Sequence, residues 1–203
     1  MVIRSDALSK RDAYHLLSSM IVPRPIALVT TLSPGGVVNA APFSFFNALC
    51  SDPPMVMLSI DRRRGERKDT ARNILERREF VVNVVSEKIA ESMNLCSGEY
   101  PIEVSEILLA GLSTAPCDGV SVPRIAESLA ALECSLEQHV TIGRAPNDLF
   151  LGAVHCFHVA DEIIDSGRVN ARALKAVGRL SGSEYCTSTE IFTMERPKIV
   201  PGA

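Results

Sequence analysis

The sequence predicts a mainly β (α+β) fold, a β-barrel with helices at its periphery. Three observations carry this expectation. Short β-rich runs recur along the chain and are joined by turns rich in Gly and Pro. Helical spacing occurs only in short stretches between them. No Gly-x-Gly-x-x-Gly follows the first strand, and strands and helices alternate too irregularly for a doubly wound sheet. The 203 residues contain no repeat, low-complexity tract or break in composition, which predicts a single domain, 1–203, with its core at about 12–197.

Residues 12–20 place Ala13, Leu16, Leu17 and Met20 at helical spacing. Residues 26–32 are β-rich, and Ser33-Pro-Gly-Gly36 turns the chain back into a strand over 37–41. The apolar run 55–60 suits a buried strand. A helix is expected over 70–77 with Asp69 as its N-cap. A strand follows over 80–85, then a helix over 87–95. Residues 98–124 carry three Gly and three Pro and read as a long excursion with at most one short helix. Structureless stretches beyond about 15 residues are usually functional or involved in contacts. Leu132, Cys134, Leu136, Gln138 and Val140 alternate with Glu133, Ser135, Glu137 and His139, a strand with one wet face. Residues 149–159 are apolar on both faces and should be a central strand. A helix over 170–177 and a last strand over 190–195 complete the pattern.

Hydrophobic residues make up 46% and charged residues 22%, ordinary for a soluble globular protein. A net charge of −3 argues against nucleic-acid binding, which usually needs a basic excess. The N-terminus has no apolar stretch of secretory type, and Pro23, Arg24 and Pro25 interrupt the best apolar run. No membrane association and a cytoplasmic location are therefore expected. The six Cys are widely spaced without Cys-x-x-Cys, which favours buried thiols over disulfides or metal ligands. His155-Cys156-Phe157-His158 has the look of a metal site. On a strand, however, 155 and 158 face opposite sides and cannot chelate one ion, so satisfied core histidines are expected.

The richest stretch is Asn39-Ala-Ala-Pro-Phe-Ser-Phe-Phe-Asn47, where three of seven Phe fall within four residues, interleaved with Ser44 and Asn47. Apolar groups for ring faces and polar groups for ring edges suit a flat, partly polar ring system. By strand alternation Phe43, Phe45 and Phe46 cannot all face it. Arg67, Lys68 and Thr70 open a helical pattern, offering two charges and a hydroxyl where free N–H groups gather. Cations there oppose the helix dipole unless an anion joins them. Ring site and phosphate site together read as a place for flavin mononucleotide, FMN. The alternative for the cluster beginning at Arg62 is a solvated turn. Thr30 and Thr31 face opposite sides of a strand, so one is free for a ligand, although a Thr pair is also ordinary β-propensity. Arg179, in a Gly- and Ser-containing stretch, is either a phosphate contact or part of a turn. His139 is a candidate for nicotinamide or partner contact. No Ser-His-Asp order or carboxylate pair is legible, which is coherent where a cofactor carries the chemistry.

Pro23-Arg-Pro-Ile-Ala-Leu-Val-Thr-Thr31, the Phe-rich stretch, Asp52-Pro-Pro54, Lys68-Asp-Thr-Ala-Arg-Asn73 and Val177-Gly-Arg-Leu-Ser-Gly-Ser-Glu-Tyr185 resemble the FMN-binding split-barrel proteins of the flavin reductase family. Within it they are most similar to the flavoredoxin-like and monooxygenase-reductase branch. The match runs from about 23 to 197. This resemblance implies an antiparallel split barrel and a homodimer with the flavin near the subunit interface. It implies cofactor contacts from Thr30, Thr31, Ser44, Phe45, Phe46, Asn47, Arg67, Lys68, Asp69, Thr70 and Arg179, with Asn47 tuning the ring edge. The implied activity is an NAD(P)H:flavin oxidoreductase, a candidate reductase component of a two-component monooxygenase, with no protein catalytic residue. The competing readings are a non-catalytic FMN electron carrier of flavoredoxin type and a ferric or other acceptor reductase. A pyridoxamine-phosphate-type oxidase is disfavoured, because the resemblance lies with the reductases.

Overall fold

The structure, a computed structural model, describes residues 1–197; the remainder of the expected domain, 198–203, lies outside the described residues. Helix α1 (Lys10–Met20) starts at Ser9, whose hydroxyl oxygen accepts from the Asp12 amide at 3.1 Å. Its apolar stripe does not enter the core: Ser18 is its only buried residue, and Leu17 and Met20 stand exposed.

Seven strands form one antiparallel sheet. In chain order they are β1 (Ala27–Leu32), β2 (Val38–Phe43), β3 (Phe46–Ser51), β4 (Pro54–Asp61), β5 (Glu79–Val84), β6 (Ala130–Ile142) and β7 (Asn147–Val159). Their spatial order is β2-β1-β5-β6-β7-β4-β3. The β1–β2 turn forms at the expected Ser-Pro-Gly-Gly. Gly36 takes φ +82°, and the Ser33 amide donates to the Val37 carbonyl at 2.9 Å. The mainly β, antiparallel expectation holds, but the barrel does not close. Edge strands β2 and β3 form no ladder with each other. The two-residue link Ser44–Phe45 joins them at one corner, where the Phe45 carbonyl accepts from the Ser59 amide.

One core lies inside the curved sheet, where Phe80, Phe150, Leu58 and Val29 pack with Ile74 of helix α2 (Asp69–Arg77). At Gly152 the backbone comes so close that an added Cβ would sit 2.4 Å from the Phe80 ring, so only glycine fits. A second core lies outside β1 and β2. There Leu28 and Ala40 meet Ile89, Met93 of helix α3 (Ala90–Leu95) and Ile107 of helix α4 (Glu106–Leu109).

Several local expectations are corrected. Lys68, not Asp69, occupies the cap position of α2; Asp69 is the first helical residue and pairs with Arg72. The wet face of β6 is interrupted by an extra residue at Glu137 in the ladder to β7. That bulge turns His139 to the inner face, where its ring lies 5.0 Å from that of Phe150. Glu133 is fully buried beneath residues 117–122, its carboxylate accepting from the amides of Asp118 (2.9 Å) and Gly119 (2.6 Å). A second bulge at His155 leaves that residue exposed and bonded to the Ser135 hydroxyl at 2.6 Å, while half-buried His158 pairs with Glu133. Neither is a core histidine. Only Cys96 and Cys134 of the six thiols are buried, and burial pushes both up to about 12. The stretch 98–124 contains α4 and a small hairpin, Thr114–Ala115 with Arg124–Ile125. The expected strand over 190–195 does not form. Phe192 and Met194 are exposed there, and the last strand among the described residues is Tyr185–Thr187, paired with Val177–Arg179, which also pairs with Arg24–Pro25.

Candidate functional site

A cavity of about 610 Å³ opens where β2, the start of α2, the end of α3 and the Arg179–Tyr185 turn converge. The start of α2 supplies its distinguishing chemistry. No side chain caps this helix, so its first-turn N–H groups are left for another acceptor, and Lys68 and Asp69 line the cavity. Arg63, Arg64, Arg67, Arg72 and Arg179 add positive charge around it. A second cavity of about 620 Å³ shares Tyr14, Pro42, Phe43, Ser44 and Lys68 with the first and adds Phe45, Lys10 and Arg11. Tyr14 of α1 stacks on Phe45 with centroids 6.2 Å apart, making an aromatic wall with polar Ser44 beside it.

Several of the cations are held by specific partners. Asp148, buried at the start of β7, accepts two bonds from Arg62 (2.9 and 3.0 Å), one from Arg67 (3.2 Å) and lies 2.8 Å from His139. Burial alone would raise this carboxyl, but the bonds from Arg62, His139 and Arg67 outweigh it and hold it far below the usual range. Lys68 Nζ pairs with Asp61 at 2.5 Å and sits 5.8 Å above the Phe43 ring. Arg179 bonds the Tyr185 hydroxyl and the Gly182 carbonyl, its guanidinium 4.4 Å from the Tyr185 ring centre.

One wall of the cavity is a buried polar hub centred on Asn39, and both Asn39 and Glu106 line the cavity. Its carbonyl oxygen accepts from Thr70 (2.8 Å) and Thr31 (3.3 Å), and its amide donates to Glu106 at 2.8 Å. Glu106 also accepts from the Ala40 amide at 3.0 Å, and Asn73 donates to Thr31 at 3.0 Å. Burial raises the Glu106 carboxyl despite these bonds. The hub ties β1, β2, α2 and the 98–124 excursion into one unit. Arg24 forms a second anchor: it is buried, donates to Ser44 Oγ (3.3 Å), the Ile21 carbonyl (2.9 Å) and the Leu180 carbonyl (2.8 Å), and so fixes the Ser44 corner.

Of the residues expected from the sequence, Ser44, Arg67, Lys68, Asp69 and Arg179 line the first cavity, and Ser44, Phe45 and Lys68 line the second. Thr30 and Thr31 line neither. Both are fully buried, with Thr30 donating to the Pro123 carbonyl at 2.7 Å and Thr31 serving the hub. Thr70 spends its hydroxyl on Asn39. Phe46 packs on the inner core, and Asn47 is exposed on β3 with its side chain accepting from the Ala48 amide. Strand alternation could not show which Thr faces are covered, because the cover comes from residues distant in sequence. Tyr14, Asn39 and Glu106 also line the first cavity and Arg24 braces Ser44, four roles outside the set expected from the sequence. Arg24 and Asn39 were signalled only by standing inside the quoted motifs, and Glu106 had no signal.

A family model described as "Flavin reductase like domain" matches residues 18–173. The chain is 44% identical over 202 residues to the uncharacterized protein YwrF of Bacillus subtilis, covering 97% of this chain and 98% of the relative. It is similar to the crystal structure of nitrilotriacetate monooxygenase component B from Bacillus cereus, at 38% identity and TM-score 0.93, over 96% of this chain and 98% of that one. It is also similar to 2-nitrobenzoate 2-nitroreductase from Pseudomonas fluorescens, at 35% identity and TM-score 0.90, with 100% of each chain covered.

Proposed function

The chain belongs to the flavin reductase-like family, and on that premise we propose that it binds FMN and oxidises NAD(P)H, as a flavin reductase able to serve a monooxygenase partner. The observation that carries this reading is the uncapped, cation-ringed start of α2 opening into the same cleft as the Tyr14–Phe45 wall and Ser44. These residues fit FMN: an anion relieves the conflict between α2's dipole and its neighbouring cations, and the aromatic wall suits a ring. Arg67 and Lys68 would hold the phosphate, with α2's first-turn amides beside them. Asp69 sets the helix start through Arg72, and Arg179 closes the far side. Asn47, exposed on β3, is a ring-edge candidate through the motif alone, and Thr30, Thr31, Thr70 and Phe46 support the site from behind.

When bound, FMN supplies the hydride- and electron-accepting chemistry. The chain orients: Arg24 holds the Ser44 hydroxyl, and the Asn39–Glu106 hub fixes β2 and α2 relative to each other. Lys10 and Arg11 place positive charge on the second cavity, which suits an anionic nucleotide cosubstrate. The relative named as a nitroreductase supports a variant of the same reading in which the electron acceptor is a nitroaromatic. We further propose a homodimer, supported by the exposed apolar residues Leu17, Met20 and Ile21 and by the exposed edge strand β3.

The deciding experiment loads the protein with FMN and mixes it anaerobically with NADH or NADPH. Bleaching of the flavin band within seconds is expected. If neither nucleotide reduces it while a chemical reductant does, the protein is an electron carrier instead. Sedimentation of the FMN-loaded protein should give twice the 22.0 kDa chain mass, and a monomer at micromolar concentration would remove the dimer proposal.

A further inference from the structure

Away from the cleft, the outer face of β6 and β7 gathers a set of side chains that the flavin chemistry does not use. The bulge at His155 shifts the ladder so that Cys156, rather than His155, lies directly across from Glu133. Residues opposite one another in an antiparallel pair share a face, and so do positions two apart on a strand. His158 therefore joins Cys156 and Glu133. The strap of residues 117–122 above them adds Asp118. One ligand atom from each of the four lies within 4.8 Å of every other. None of the four lines either cavity of the cleft.

We propose that Asp118, Glu133, Cys156 and His158 form a binding site for one borderline-soft divalent cation, zinc in the first instance. The donor set is one sulfur, one imidazole nitrogen and two carboxylates. Calcium and magnesium prefer oxygen donors alone, whereas zinc takes Cys, His and carboxylate ligands in tetrahedral fours. Zinc–ligand bonds of about 2.0–2.3 Å put tetrahedral donors about 3.3–3.8 Å apart, so these atoms need to close by only about 1 Å.

The support around the site is in place. Glu133 is fully buried, and the amides of Asp118 and Gly119 fix its carboxylate. The strap is pinned a second time, where the Ser121 amide and hydroxyl both donate to Glu79, at 2.8 and 2.6 Å. A simpler role for Glu133, as a latch for the strap with His158 beside it, accounts for two of the four residues. It gives no reason for a thiol and a second carboxylate to converge on the same point. A dication does, because it compensates the buried Glu133 carboxylate and draws in the exposed Asp118 carboxylate beside it. Coordination replaces the His158–Glu133 contact and the thiol S–H bond with bonds to the metal. The thiol proton leaves to solvent, one proton released per ion bound by a neutral thiol and imidazole.

The test uses the full FMN-loaded chain, stripped of metals by dialysis against a chelator and titrated with zinc chloride against a chromophoric competitor. One zinc per chain with sub-micromolar affinity is expected. Titration with cobalt chloride should give the intense visible bands of a tetrahedral site and a thiolate charge-transfer band in the near ultraviolet. Cys156→Ser should abolish that thiolate band and weaken zinc about 100-fold; His158→Gln should weaken zinc to a similar degree while keeping the thiolate band. FMN content should be unchanged in both. Each variant's melting temperature reports whether it folds, and His158→Gln alone decides the matter if Cys156→Ser does not. Absence of stoichiometric zinc binding overturns the proposal. So does tight binding that survives in the folded variants, since the metal would then be held by other groups.

Discussion

Asp148 and Glu133 lie on the neighbouring strands β7 and β6, both carboxylates are buried, and each holds a loop to the sheet. Both stay ionised against the cost of burial, with Glu133 brought down to about 2 and Asp148 lower still. Their neighbours differ in kind. Asp148 meets the guanidiniums of Arg62 and Arg67, with His139 completing the set. Glu133 meets two neutral amides and His158, with Asp118 and Cys156 close by. Pairing with cations cancels the charge of Asp148 and at the same time aims Arg67 at the cleft. Pairing with amides fixes Glu133 without cancelling it. Burying a charge costs several kcal/mol unless it is compensated, so the same residue type makes a positioning device in one place and a cation-seeking pocket in the other.

Asp148→Ala attacks the first half of that comparison and carries the largest expected effect. Removing one partner of a buried ion cluster costs about 3–5 kcal/mol, and the lower end is expected here because Arg67 can turn partly to solvent. Urea unfolding measures it, and a loss below about 1 kcal/mol would mean that the cluster is incidental. The pH dependence follows from the same group. A depressed folded pKa means that the stabilisation is complete above the unfolded value near 3.9 and is lost as pH falls through and below it. Glu106 acts in the opposite sense: its raised pKa makes the protein lose a little stability as pH rises through about 4.3 and above. Melting temperature followed from about pH 3 to 7 should therefore climb steeply in the wild type and less in Asp148→Asn. Equal slopes would show that other carboxylates control the acid limb.

Next in size is Lys68→Ala, which tests whether the cations of the cleft serve a phosphate. A charge-assisted hydrogen bond contributes about 1.5–3 kcal/mol, so FMN should weaken roughly 10- to 100-fold while riboflavin is unaffected. Fluorescence quenching with both ligands reads this directly. Equal losses for the two would place Lys68 against the ring rather than the phosphate, consistent with its position above Phe43.

How much of this was legible in the sequence depended on the range of the interaction that decides each residue. The β1–β2 hairpin, β4 and α2 follow from local signals such as the Gly36 turn and apolar runs, and they stand where expected. Lys68 and Ser44 reach the cleft because helix start and strand corner are local features too. The bulges at Glu137 and His155 have no local signature, yet each shifts the pattern of everything beyond it, which is why His139 came inward and Cys156 replaced His155. Glu133 read as solvated because its cover, residues 117–122, lies in a stretch without periodicity. The strand expected over 190–195 had β-like residues, yet the segment pairs with no strand among the described residues.

The smallest expected effect separates a ligand contact from a residue that supports one. Thr31 carries the family's motif, yet its hydroxyl is fully buried between Asn39 and Asn73. Thr31→Val keeps the shape and removes the hydroxyl, which leaves the Asn73 amide without its acceptor. An unsatisfied buried donor costs about 1–3 kcal/mol, and a water drawn into the gap would reduce that, so about 1 kcal/mol of stability is expected. FMN affinity should change less than threefold, because the hydroxyl opens into neither cavity. Thr70→Val, on the same hub but beside the helix start, should cost similar stability and somewhat more affinity, since it loosens α2 against β2 where the phosphate is held. If Thr31→Val instead lost FMN tenfold with its melting temperature intact, the hub would have to open in solution and Thr31 would be a direct contact. That result would move the boundary between site and support one layer deeper into the sheet.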